Sequence, residues 1–219
     1  MTRLKILVEG QTEETFVREL LVPHYARMGL YISPIVATTS PSHRGGIVSY
    51  GKVRNQLVRL CREDRDAWIS TFFDLYALPG DFPGKLDRDY PHQGSGGQKA
   101  AYLEGRLTQD LDERNFIPYL MVHEFEALLF VEPQRFGDWT DDAGVAAQLT
   151  SQALKFSSPE EINEGVHSAP SKRITQAMPG YQKPTHGPLI ACDIGLDPLR
   201  QSCPHFSAWL NQIEQLGSN

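Results

Sequence analysis

Two periods of hydrophobicity alternate along the chain. Leu4, Ile6, Leu7 and Val8 form a short apolar run without Pro or Gly, the pattern of a buried strand. It ends at Glu9-Gly10, and a helix pattern follows, with Thr12 as N-cap, Glu13 and Glu14 in the first turn, and Phe16, Leu20 and Leu21 as the apolar stripe. Residues 31–37 (YISPIVA) read as a second strand, which Pro34 assigns to a sheet edge. A polar loop rich in Ser, Gly, His and Arg covers 38–51. Helical spacing then returns over 52–64 through Val53, Leu57, Leu60 and Cys61. Residues 68–73 (WISTFF), β-branched and aromatic, predict a third strand that ends at Asp74. After a Pro-, Gly- and Asp-dense stretch over 75–98, residues 99–111 predict a helix through Tyr102, Leu103, Leu107 and Leu111. Residues 116–122 (FIPYLMV) predict a fourth strand running into HEFEALLF.

Strand and helix alternate four strands deep, which predicts an α/β fold with a mainly parallel four-stranded sheet flanked by helices and right-handed crossovers. Beyond Glu132 the pattern changes to short helical segments, over 141–155, 159–164, 171–178 and 202–216. The expected organisation is an α/β domain over 1–132 and a helical C-terminal section over 133–219 packed on it. The loop over 75–98 is long for a compact domain, a length typical of binding loops, lids or surface insertions.

Composition narrows the function classes. The chain has 219 residues, 40% hydrophobic and 22% charged, with a formal net charge of -6. That balance argues against coating nucleic acid by broad electrostatics, which needs clustered Lys and Arg. It leaves room for an enzyme that meets a phosphodiester through bound cations. Three scattered cysteines, Cys61, Cys192 and Cys203, make neither a zinc pattern nor a disulfide framework, and no apolar run spans a bilayer. The N-terminus opens directly into a strand without a leader pattern. The expectation is a cytoplasmic protein without membrane association.

The carboxylates carry the candidate chemistry. Glu9 ends the first strand, Asp74 the third, and Glu124 and Glu126 follow the fourth, so a parallel sheet brings all four to one edge. An acid at a strand end is also an ordinary loop residue or helix cap. Glu126 is more informative, because it lies inside the apolar run FEALLF, where a carboxylate is costly without a cation or hydrogen bonds. A metal ligand and a buried partner of Arg or Lys are the two readings. His123 beside it reads as a hydrogen-bonding core residue. Carboxylates without clustered His or Cys suit Mg²⁺ or Mn²⁺ and phosphoryl chemistry.

The string LVEGQTE (residues 7–13), followed by a strand ending in Asp74, resembles the Toprim domain of topoisomerases, primases and the overcoming-lysogenization-defect (OLD) nucleases. More closely, VEGQTEETFVRELL, FDLYALPGDFPG, HEFEALLF, APSKRI and HGPLIA together resemble the family of domain-of-unknown-function 4276 over nearly the whole chain. The resemblance implies a Toprim-like fold and a Mg²⁺-dependent nuclease, with Glu9, Glu13 and Asp74 at the metal. The family's third-strand Asp-x-Asp is absent, since Leu75 and Tyr76 follow Asp74. A second ligand would then come from Glu126, Glu124 or Asp81, and one-metal chemistry stays open beside two-metal chemistry. OLD-like nucleases also place a Lys near the scissile phosphate, which assigns Lys172 in APSKRI. Lys183 and His186 in YQKPTHGP form a second polar cluster able to face the same cleft. OLD proteins fuse an ATPase to Toprim. This chain has no GxxxxGK[ST] motif, so an ATPase partner would act in trans. The implied substrate is nucleic acid. The alternatives are a non-catalytic partner-binding subunit and a small-molecule phosphohydrolase.

Overall fold

The computed structural model describes residues 1–38, 49–162, 165 and 168–217. A five-stranded sheet forms its centre, built from β1 (Thr2–Val8), β2 (Leu30–Val36), β3 (Ala67–Asp74), β4 (Phe116–Ile117) and β5 (Leu120–Met121), in the order β2-β1-β3-β4 with β5 also on β3. Every pairing is parallel. The α/β fold with a mainly parallel sheet expected from the sequence is therefore present. Most of the polar loop expected over 38–51 lies outside the described residues, as does the end of the helix expected over 159–164; the part described, Pro159–Glu161, is a single 3-10 turn.

Strand parity divides the core in two. Leu4, Ile6 and Val8 of β1 and Phe72 of β3 pack on one face against α1 (Gln11–Phe16), α7 (Lys183–Ile194) and α9 (Pro204–Gly217), through Phe16, Ile190, Phe206 and Trp209. Leu7, Ile69 and Phe73 face the other way, against α3 (Tyr50–Glu63) and α4 (Gly96–Leu111), through Val53, Leu57, Leu103 and Leu107. Both faces are covered, as a parallel sheet requires. β2 is the edge strand expected from Pro34. Because Ala37 N–H reaches the Val8 carbonyl, alternation turns the even residues of β2 outward, so Pro34 removes a donor from the open edge and blunts it against further pairing.

Three local expectations differ from the structure. The first helix is capped at Gly10, not Thr12: the Glu13 carboxylate accepts from Gly10 N–H at 3.0 Å, and Thr12 is buried within the first turn. The helix then passes through a π-helical segment, Val17–Leu21, before α2 (Val22–Ala26). The fourth strand is broken at Pro118, which has no N–H to give the ladder. The Thr71 hydroxyl bridges the break, accepting from Tyr119 N–H and donating to Tyr119 C=O, both at 2.9 Å. The stretch over 75–98 is a set of turns up to Ser95, where α4 begins, and buries Leu75, Leu78 and Phe82, with Asp81 accepting from Tyr50 N–H at 3.1 Å to cap α3.

Two helices escaped the sequence pattern, α7 and α8 (Leu196–Ser202). Pro184, Gly187 and Pro188 punctuate α7 in a way that reads as a loop. Burial and contact with α1 override that local preference. Between α4 and these helices lie α5 (Ala143–Ala153) and α6 (Pro170–Ala177).

The Thr71 bridge makes a direct prediction. Thr71→Val keeps the shape but strands a buried N–H and C=O of Tyr119, so unfolding in urea should show a loss of about 2 kcal/mol. A change within error would mean that β4 and β5 hold their register without it.

Candidate functional site

The strand order reverses between β1 and β3, so the crevice beyond their carboxyl ends is where an open α/β sheet binds ligands. Glu9 follows β1 and Asp74 ends β3 at that point. The backbone ties them together: Glu9 Oε2 accepts from Asp74 N–H at 3.3 Å, and Asp74 Oδ1 accepts from Phe125 N–H at 2.9 Å. Phe125 begins a 3-10 turn (Phe125–Phe130), entered through His123 in the left-handed region at φ 66°. That uncommon backbone swings the chain out of β5 and delivers Glu126 into the cluster, fully buried. Glu13 arrives from the first turn of α1, where its capping bond to Gly10 holds Oε2 and leaves Oε1 for the crevice.

Lys183, the first residue of α7, completes the cluster. Its Nζ lies 3.0 Å from Asp74 Oδ2, 3.0 Å from Glu126 Oε2 and 3.9 Å from Glu13 Oε1. Burial opposes its charge, but Asp74, Glu126 and Glu13 together outweigh that and hold the ammonium protonated far above the ordinary lysine range. One cation does not balance four carboxylates. Burial, reinforced by Asp74 and Glu13, pushes Glu9 up to about 8. Burial and Asp74 raise Glu13 to about 7 against the pull of Lys183. Burial lifts Glu126 to about 7, again opposed by Lys183. Glu126 Oε1 has no hydrogen-bond partner, and Oε2 meets Lys183 as an ion pair outside hydrogen-bonding angles.

The remaining predicted residues make other contacts. Glu124 is buried, with Oε2 accepting from Ser171 N–H at 2.9 Å, which joins the 3-10 turn to the start of α6. Lys172 is exposed on α6 and forms no ion pair with the acids among the described residues. Asp81 caps α3. His186 accepts from Gln182 N–H at 2.8 Å and stacks on Tyr181, ring centroids 5.8 Å apart. Tyr181, whose buried hydroxyl has no hydrogen-bond partner, carries no signal in the sequence pattern. Lys183 does face the cleft, as the sequence allowed for it and His186, while two prolines concealed the helix that it opens.

Hard oxygen donors and an orphaned carboxyl oxygen fit Mg²⁺ or Mn²⁺ in ligand type. The spacing is set by lysine instead. Among the described residues no group of three His, Cys, Asp or Glu side chains is placed to hold an ion as it stands. Carboxylates drawn to an ammonium at 3.0 Å stand farther apart than ligands on Mg²⁺ at about 2.1 Å. The side chain of Lys183 is 36% exposed, so its stem can carry the head outward.

A family profile described as a domain of unknown function, DUF4276, matches residues 8–214. The chain belongs to the DUF4276 family. No curated protein sequence matches it. Among solved structures, it is similar to the C-terminal region of the Burkholderia pseudomallei OLD protein, at 14% identity and TM-score 0.49, covering 99% of each chain. It is also similar to the C-terminal region of the Xanthomonas campestris pv. campestris OLD protein, at 14% identity and TM-score 0.39, covering 97% of this chain and 98% of that one. Among the described residues no helix of this DUF4276 member is long and apolar enough to cross a membrane.

The raised carboxyls link stability to pH. An unfolded Glu9 loses its proton near 4.5 and the folded one near 8, so between those values the unfolded state holds fewer protons and stability falls as pH rises. Glu9→Gln abolishes that contribution. The difference in thermal midpoint, variant minus wild type, should therefore grow from pH 4.5 to 8 and then level off. A difference independent of pH would place Glu9 in water.

Proposed function

We propose that this DUF4276 protein is a metal-dependent phosphodiester hydrolase, a nuclease acting on nucleic acid, with Glu9, Glu13, Asp74 and Glu126 as its acidic centre. The observation that carries the reading is the under-neutralised carboxylate cluster at the strand-order reversal, where burial has raised three glutamates toward neutrality. Structural ion pairs do not need such an excess of negative charge. A site that receives a cation does.

Glu9, Asp74 and Glu126 would hold Mg²⁺ or Mn²⁺, with Glu13 beside them. Glu124 supports the turn that carries Glu126. The cation, when bound, supplies charge neutralisation for the phosphate and a more acidic water. The protein's own part is to keep the acids preorganised through the Asp74 and Phe125 backbone bonds and to present Lys183. As Lys183 leaves the carboxylates, its ammonium reaches a non-bridging phosphate oxygen and steadies the charge that develops there. This assigns to Lys183 the role that the resemblance to OLD-type nucleases implied for Lys172. An ATPase partner in trans and a cytoplasmic setting belong to the same reading, as does a division into an α/β domain over 1–132 and a helical section over 133–219.

The Lys183 ion pairs favour a second reading. A lysine that permanently replaces the metal would make this a non-catalytic Toprim-like subunit that binds a partner.

Calorimetry with Mn²⁺ separates the two. Wild type should bind, Glu9→Ala and Asp74→Ala should not, and Lys183→Met should bind more tightly because the competing ammonium is gone. Cleavage of single- and double-stranded DNA and RNA by Lys183→Met should fall by about 10²–10³. No Mn²⁺ binding by wild type, with binding gained in Lys183→Met, would establish the second reading.

A further inference from the structure

Tyr181 precedes α7 and is buried, with its ring stacked on His186 and tilted 6.3 Å from Phe136. Its hydroxyl has no hydrogen-bond partner. The backbone of α7 makes room for that oxygen, since a Cβ at Gly187 would lie 2.9 Å from it, 3.3 Å from Phe125 and 3.6 Å from Thr12. Phe125 and Thr12 are the chain neighbours of Glu126 and Glu13, so the Gly187 backbone beside the hydroxyl packs against the two segments that carry these acids. Among the charges acting on it, Glu126 is the strongest. Glu126 Oε1 is likewise buried and without a partner.

A donor and an acceptor, both buried and both unsatisfied, cost free energy unless something serves them together. A phenol needs an acceptor and a carboxylate needs a donor. A water is both at once. We propose that the Tyr181 hydroxyl and Glu126 Oε1 together hold one water molecule, and that in the hydrolysis proposed above, on which this inference rests, it is the attacking water. Tyr181 O–H donates to the water oxygen, and the water donates to Glu126. The water oxygen forms the new bond to phosphorus as the bond from phosphorus to the leaving oxygen breaks. The leaving oxygen departs with the electron pair, and the proton of the water passes to Glu126. Tyr181 fixes the line of attack and is a positioning residue for the nucleophile.

Tyr181→Phe keeps the ring and removes the oxygen. With bis(p-nitrophenyl) phosphate and Mn²⁺, kcat should fall about 10²-fold, the cost of a nucleophile out of line. KM should stay within about twofold, as expected when only transition-state alignment is lost. Mn²⁺ affinity should not change, and the thermal midpoint should not fall, because the ring packing remains. Gly187→Ala approaches the same oxygen from the helix: its Cβ displaces the hydroxyl and should lower kcat in wild type but add no further loss to Tyr181→Phe. An unchanged kcat in Tyr181→Phe, or additive losses in the double variant, would overturn the inference while the hydrolase reading stands. A wild type that neither binds Mn²⁺ nor cleaves the probe removes that reading, and this inference with it.

Discussion

One ammonium group holds the functional end of this molecule together. Lys183 meets Asp74 and Glu126 at 3.0 Å and Glu13 at 3.9 Å, in a crevice where burial raises the cost of every negative charge. Removing one partner of a buried ion pair costs far more than the pair contributes, because the remaining charges lose both water and counter-ion. The first turn of α7 is therefore fastened to the end of β3, to the 3-10 turn and to α1 by electrostatics as well as by packing. α7 seats against α1, so the same contacts close one face of the sheet.

That fastening leaves the site charged for a purpose. A single lysine satisfies part of the negative charge, and three glutamates respond by holding protons up to pH 7 or 8. In the proposed hydrolase such a site would exchange protons and an ammonium for a cation of higher charge. The backbone meanwhile does not depend on the occupant: Asp74 N–H, Phe125 N–H and Gly10 N–H each fix one carboxylate oxygen and leave the other for the crevice. Preorganisation comes from these bonds.

Much of the scaffold was legible because the chain states its strands locally. The apolar run of β1, the aromatic run of β3, the Pro34 edge and the helical spacings of α3 and α4 each follow from short-range pattern. Glu9, Asp74 and Glu126 could be named because strand ends in a parallel sheet converge and because Glu126 interrupts an apolar run. The loop over 75–98 was harder to interpret, since its buried Leu78 and Phe82 carry no period. The Pro118 break in the fourth strand needed Thr71, a residue on another strand, to be tolerated.

The α/β order, the parallel sheet and the acids at its carboxyl edge follow from local pattern, because strand period, turn residues and a buried carboxylate are properties of neighbours along the chain. Which base meets those acids depends on the packed fold. Lys183 lies 109 residues from Asp74 and opens a helix whose prolines disguise it. Lys172, in a clearer motif, stays in solvent. Tyr181 gained its position in the same way, through Gly187, whose missing side chain leaves space for a hydroxyl. Charge pairing and steric room depend on distance in space, and a one-dimensional pattern carries no record of either.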